Sequence, residues 1–302
     1  MKNLGTCLVT IFALALGVSA QSSACGPHGG PGTVFITAKD LAAQLHDPAL
    51  VVLAVTDDRG REYGAGHIPG ALQLEASTLW RKNQLSVELP SAQELAGAMT
   101  KLGITPQSRI VLYPGGAGDT RVSRTYWTLD AIGLGARTSI LDGGLDAWKA
   151  AGQPLVRKPS KPARGAAFPP CLQKDLYADA AFVADHLHAP GIALVDARAE
   201  MDYSGDMEMM GRRGHIPGAV NIPEPSLISN GRYLSLDALR QKFTAAGIKR
   251  GDTVVSYCHI GLMATEVYVA ARALGFKAKL YDGSFEDWAA HKNFPVERSP
   301  AH

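Results

Sequence analysis

Cysteine is scarce in this sequence. The 302-residue chain carries four, Cys7, Cys25, Cys171 and Cys258, too few for a scaffold built on disulfides. Net charge is nearly absent as well: Lys plus Arg outnumber Asp plus Glu by only two, and no basic stripe interleaves with aromatics. That pattern argues against nucleic acid as a partner. Long apolar runs are also missing. The longest near the N-terminus, Leu8 to Val18, is too short to span a bilayer comfortably.

What remains is a globular composition, 46% apolar and 19% charged, with enough length for two domains. The N-terminus differs in kind. Lys2 precedes the apolar run, and Val18-Ser-Ala20 then meets Gln21. A charged start, a short apolar stretch and a small-x-small site read as a secretory signal over residues 1–20. The mature protein is therefore expected in the periplasm or secreted, with no stable membrane insertion once the signal is cut. The alternative is a lipoprotein anchored through Cys25, a signal that polar Ser22 fits poorly. Cleavage would remove Cys7 and leave three cysteines, an odd number that flags a free thiol. Cys25 and Cys171 lie in a tail and a linker, and the sequence leaves open whether they are bridged.

The chain repeats itself. Leu50-Val-Val-Leu-Ala-Val55 leads to Gly66-His-Ile-Pro-Gly-Ala71, as Ile192-Ala-Leu-Val195 leads to Gly214-His-Ile-Pro-Gly-Ala219. Ile110-Val-Leu-Tyr113 then matches Val254-Val-Ser-Tyr257, and the Asp142-Gly143 segment ending at Trp148 matches the Asp282-Gly283 segment ending at Trp288. The order is the same in both halves, which implies one domain duplicated. The reading divides the chain into a flexible lead-in (21–32), a first domain (33–153), a linker (154–172) and a second domain (173–302). The stretch from Pro154 to Pro170 holds five prolines and no helical periodicity, as an extended linker should. Helices are expected over 38–46, 91–102 and 122–132, and again over 179–188, 235–246 and 264–274. Strands alternating with such helices predict an α/β fold in which each domain is a mainly parallel sheet covered on both faces.

Cys258 is the outstanding candidate. It follows the apolar strand Thr253 to Tyr257 and opens a short loop into a helix. Loop N–H groups and the positive end of a helix can converge on a thiol so placed, and both favour an anionic sulfur. His67 and His215 tempt as metal ligands, but their identical Gly-His-Ile-Pro-Gly surroundings in two domains read as a repeated turn, so no metal site is expected. Met207, Met209 and Met210 read as adaptable loop packing rather than a soft-metal site.

These residues together resemble the tandem rhodanese family of sulfurtransferases. The resemblance rests on Asp196-Ala-Arg198, the two Gly-His-Ile-Pro-Gly-Ala segments, the Cys258 loop and the two Asp-Gly-x-x-x-x-Trp segments, all in fixed order. It implies two rhodanese-like domains, the first catalytically silent, and Pro114 indeed stands where the second has Cys258. It implies that Cys258 takes sulfane sulfur from a small donor, thiosulfate or 3-mercaptopyruvate, as a persulfide. A thiophilic acceptor such as a thiol or cyanide, or a protein, then removes it. The backbone of His259, Ile260, Gly261, Leu262, Met263 and Ala264 would cradle the persulfide, with no cofactor. The alternative is a persulfide carrier serving a protein partner. A phosphatase on a related loop would need arginine where this chain has Ala264. The chain departs from thiosulfate-using members in having Asp202, Ile260 and Met263 where cationic or hydroxyl side chains are expected. Arg198 matches the motif arginine, either as a substrate contact or as a structural ion-pair partner, and Arg212 and Arg213 could supply charge from another direction. His259 could assist proton transfer or simply face solvent.

Overall fold

A computed structural model describes residues 34–57, 60–114, 120–163 and 166–299. The expected signal, the lead-in and Cys25 lie outside them. In the first half the strands are β1 (Phe35–Ile36), β2 (Leu50–Thr56), β3 (Leu72–Glu75), β4 (Arg109–Pro114) and β5 (Thr138–Leu141). The helices are α1 (Ala38–Ala42), α2 (Arg61–Ala65), α3 (Ala92–Lys101), α4 (Thr120–Ala131) and α5 (Gly144–Ala150). The second half has β6 (Tyr177–Ala178), β7 (Ile192–Asp196), β8 (Glu208–Met209), β9 (Arg212–Arg213), β10 (Val220–Asn221), β11 (Ile228–Ser229), β12 (Arg232–Tyr233), β13 (Thr253–Tyr257) and β14 (Lys277–Tyr281). Its helices are α6 (Ala180–Asp185), α7 (Glu200–Ser204), α8 (Leu236–Ala245), α9 (Ala264–Ala273) and α10 (Ser284–Ala290).

Two five-stranded parallel sheets result, ordered β1-β5-β4-β2-β3 and β6-β14-β13-β7-β10. Corresponding strands occupy corresponding places, so the repeat read in the sequence is a repeat in space. Strands buried on both faces explain the continuous apolar runs. Along β4, Ile110 and Leu112 face one core while Val111 and Tyr113 face another, which is the two-residue alternation of a strand.

α1 and α6 are shorter than their periodicity suggests. Past Ala42 the chain continues in three-residue turns, Gln44 N–H to Leu41 O and Asp47 N–H to Gln44 O. His186 and Ala189 do the same after α6, and His188 takes a φ of +56°. Pro48 and Pro190 follow, and the residue before a proline resists helical geometry. α2, α5, α7 and α10 escape sequence reading because five to seven residues are too few to show a period. The linker is docked on the first half: Val156 and His67 exchange backbone hydrogen bonds, and Phe168 is buried.

The halves meet along α4 and α9. One continuous core takes Leu53, Val55 and Trp127 from the first half and Val195, Val254 and Val267 from the second. Val122 through Ala131 and Ala264 through Ala271 are all buried, so each helix is covered on every side. Asp130 on α4 finds its partners across the junction. Asp130, 1% exposed, accepts from the Tyr268 hydroxyl at 2.7 Å and pairs with Arg272 at 3.1 Å. Burial is the main cause that pushes the Tyr268 phenol well above its ordinary range, with the Asp130 carboxylate adding to it.

Removing one member of such a buried cluster strands the others. Asp130→Ala is expected to lower stability by about 3–5 kcal/mol, measured as a drop in the denaturant midpoint. Asp130→Asn, which still accepts from Tyr268, should lose less.

Candidate active site

β13 carries the chain to Tyr257, and Cys258 begins the turn into α9. This is the carboxyl edge of a parallel sheet, where such folds place their sites. Cys258 has no exposed surface and is a free cysteine; Cys171 is disulfide-bonded. The two remaining cysteines lie outside the described residues.

The loop is defined by where its carbonyls go. Cys258 O and His259 O accept from the N–H groups of Phe285 and Glu286, each at 2.9 Å. Gly261 O accepts from Arg124 Nη1 at 3.0 Å. Leu262 O takes both the N–H and the hydroxyl of Thr265, at 3.0 and 2.6 Å, and Met263 O takes Glu266 N–H at 3.0 Å. Among the described residues no peptide bond is cis, so each N–H following these carbonyls points the opposite way. Those N–H groups belong to His259, Ile260, Leu262, Met263 and Ala264. Among the described residues no hydrogen bond takes its donor from the backbone of His259, Ile260, Gly261, Leu262 or Met263. A run of inward-facing, unengaged N–H groups is an anion cradle. Gly261 is required for it: its φ is +82°, and a Cβ would sit 2.4 Å from Asp282 O.

Ser284 supplies a feature that sequence reading missed. Its Oγ accepts the Cys258 N–H at 3.1 Å while its hydroxyl donates to Tyr281 O at 2.9 Å. It does so at a φ of +53°, a conformation that costs a side-chain-bearing residue about 1–2 kcal/mol. The matching residue in the first half is Gly144, at +55°, lying against Pro114. Proline has no N–H to satisfy, so nothing is needed there beyond a glycine. The only sequence signal was the change from Gly to Ser within the repeated Asp-Gly segment.

The cationic candidates are engaged elsewhere. Arg198 is fully buried, forks onto the Asp196 carboxylate at 2.6 to 3.1 Å, donates to Gly214 O and lies 3.9 Å over the Phe285 ring. Arg212 donates to Phe294 O, and Arg213 donates to Gly205 O and Asp206 O and pairs with Glu208. Asp202 is 6% exposed and lies 3.3 Å from His259 Nε2. Burial depresses the His259 imidazole below its ordinary value, against the opposing pull of Asp202. Ile260, Leu262 and Met263 are half-buried on the rim, and Ala264 is buried.

His67 and His215 occupy equivalent turns. Each donates its Nδ1–H to a tyrosine carbonyl, Tyr63 O at 2.8 Å and Tyr203 O at 2.7 Å, and stacks on that tyrosine. Among the described residues no group of three His, Cys, Asp or Glu side chains could hold a metal ion. None of the described helices is long and apolar enough to cross a membrane.

The family described as Rhodanese-like domain matches residues 37–151 and again 179–291. A probable 3-mercaptopyruvate sulfurtransferase of Pseudomonas aeruginosa is 37% identical over 279 residues, covering 87% of this chain and 97% of the relative. A thiosulfate sulfurtransferase of the same organism is 31% identical over 267 residues, with the same coverage. The crystal structure of SseA from Escherichia coli, described as a 3-mercaptopyruvate sulfotransferase, superposes with a TM-score of 0.72 at 28% identity, covering 83% of this chain and 98% of that one.

Ser284→Ala keeps the strained backbone and strands a buried N–H. It is expected to cost about 1–3 kcal/mol in the unfolding midpoint, and Ser284→Gly less, because glycine relieves the strain. His259 makes a pH prediction. Its folded-state value is depressed, so the unfolded chain takes up the proton first as pH falls, and stability drops below the ordinary imidazole value of about 6.5. Between pH 7.5 and 5.5 the wild-type unfolding midpoint should therefore fall further than that of His259→Gln.

Proposed function

The chain belongs to the rhodanese-like family and is a sulfurtransferase, and from that premise we propose that it carries sulfane sulfur as a persulfide on Cys258. The Cys258 thiolate attacks the transferable sulfur of the donor. A new S–S bond forms as the donor's own bond to that sulfur breaks, S–S in thiosulfate or C–S in 3-mercaptopyruvate. The electron pair leaves on sulfite or on the pyruvate enolate, which then takes a proton from water. A thiol or cyanide then attacks the outer persulfide sulfur and takes it. The electron pair of the broken S–S bond returns to Cys258 as thiolate. The observation that carries this reading is the loop in which the carbonyls of Cys258, His259, Gly261, Leu262 and Met263 are drawn outward, leaving the N–H groups that follow them for an anionic sulfur. Such preformed dipoles stabilise charge without reorganising during reaction.

The donor follows from the charges nearby. On one side of the loop Asp196 and Asp202 outnumber Arg198, Arg124 on the other side is paired with Asp282, and Arg212 and Arg213 are tied to their own hairpin and to Phe294. A dianion such as thiosulfate gains no direct cationic contact from these residues. We therefore favour 3-mercaptopyruvate, a monoanion, as the better donor. The absence of any exposed surface on Cys258 favours small donors and acceptors over the carrier reading, in which another protein must reach the sulfur. Export is part of the proposal. The disulfide at Cys171 supports it, since such bonds persist in oxidising compartments.

The test is the intact mass of the protein after incubation with 3-mercaptopyruvate and, separately, with thiosulfate. A gain of one sulfur in wild type and none in Cys258→Ser is expected, faster with 3-mercaptopyruvate. Equal labelling of Cys258→Ser would remove Cys258 from the mechanism.

A further inference from the structure

We propose that Arg124, on a helix of the half that lacks the cysteine, is a positioning residue for the Cys258 loop in the other half. The inference rests on the persulfide reading above and deepens it. Arg124 is fully buried on α4. Its Nη1 donates to Gly261 O at 3.0 Å and pairs with the Asp282 carboxylate. Asp282 in turn accepts the Leu89 N–H, also from the first half, at 3.1 Å. The neighbouring Ser123 Oγ lies 2.7 Å from Thr265 Oγ1, whose hydroxyl reaches Leu262 O. Two consecutive residues of α4 thus act on two consecutive loop carbonyls, one directly and one through Thr265.

The consequence is directional. A trans peptide holds its C=O and the next N–H antiparallel. Drawing Gly261 O toward Arg124 aims the Leu262 N–H the other way, and holding Leu262 O does the same for the Met263 N–H. Gly261 permits the close approach, since a Cβ there would lie 3.2 Å from Arg124 Nη1. The first half therefore sets the orientation of donors that the second half uses.

Simple adhesion between the halves does not explain this arrangement. Arg124 Nε and Nη2 are buried without a hydrogen-bond partner among the described residues, and the ring of Trp127, 4.5 Å from Cζ, is the other contact of the guanidinium. Partly satisfied buried charge is a costly adhesive. The mirror-image contact makes the contrast. Asp142, which matches Asp282, pairs with Arg232 of the second half at 2.7 Å. That pair is 48% and 32% exposed, and among the described residues the Arg232 guanidinium donates to Asp142. On the side with Pro114 the ion pair is a surface contact; on the side with Cys258 it is sealed and reaches the loop.

The experiment compares wild type with Arg124→Met, Arg124→Lys and Thr265→Val. Two readouts are taken: single-turnover persulfide formation with 3-mercaptopyruvate, and the pH profile of Cys258 alkylation by iodoacetamide, followed by mass. Circular dichroism and the thermal midpoint establish that each variant is folded. In Arg124→Met, persulfide formation should slow by about tenfold or more and the alkylation profile should move toward alkaline pH by about one unit. Arg124→Lys, which keeps a charged donor, should recover most of both. Thr265→Val should show the same shift to a smaller degree and serves if Arg124→Met does not fold. A folded Arg124→Met with wild-type rate and profile overturns the proposal, as does an unshifted Thr265→Val where that variant has to serve. If wild type forms no persulfide yet the variants shift the alkylation profile, the positioning role stands and the persulfide reading fails.

Discussion

Five outward carbonyls govern this molecule. Carbonyls in a largely buried strand-to-helix turn are satisfied best by partners inside the protein. The carbonyls of Cys258, His259, Gly261, Leu262 and Met263 find theirs on three different elements, α10, α4 and α9. Meeting that requirement turns the N–H groups that follow these five carbonyls to the other side of the loop. The cradle is thus a by-product of satisfied carbonyls. It needs no side chain within the loop except the glycine that allows the bend.

The duplication acquires a division of labour from this. Both halves have the same sheet order and the same Asp-Gly turn, yet paired changes separate them. Where one has Cys258 and a strained Ser284, the other has Pro114 and a relaxed Gly144. Each change makes sense only with its partner, because the serine hydroxyl answers an N–H that proline lacks. The first half keeps a role through α4, which is buried along its length against α9. A helix covered on all sides can hold a charged residue only where the neighbouring domain supplies a partner, and Arg124 and Asp130 are such residues.

The fold was legible because its signals are long or repeated. Apolar runs at Leu50, Ile110, Ile192 and Val254, each seen with its duplicate, marked the parallel strands, and α3, α8 and α9 announced themselves by period. Cys258 was legible from its place between strand and helix. Arg124, Ser284, Asp282 and Glu286 were not. Each lies on a different element from the loop it touches, as when Glu286 also accepts the Ser86 N–H and hydroxyl from the first half. Contacts between residues some 140 to 200 positions apart leave no local pattern. At α4 the period marks the helix but nothing local shows that Arg124 and Asp130 are buried.

The charges around the loop separate two tasks that a cationic site would merge. A lysine or arginine beside the sulfur would stabilise the persulfide and also select a highly charged donor. Backbone N–H groups act through dipoles, which favour negative charge developing at the sulfur and fall off steeply with distance. They therefore assist the reacting sulfur whatever group the donor carries a few ångströms away. On the proposed reading that distal group instead meets Asp202 beside His259, whose imidazole burial depresses below its ordinary value. A dianion loses there while a monoanion loses less. On the proposed reading the backbone sets how readily Cys258 takes sulfur, and Asp202 with His259 sets from which donor. Neutralising Asp202 should then change the ranking of donors more than the rate with the best of them, because the dipoles that serve the sulfur are untouched.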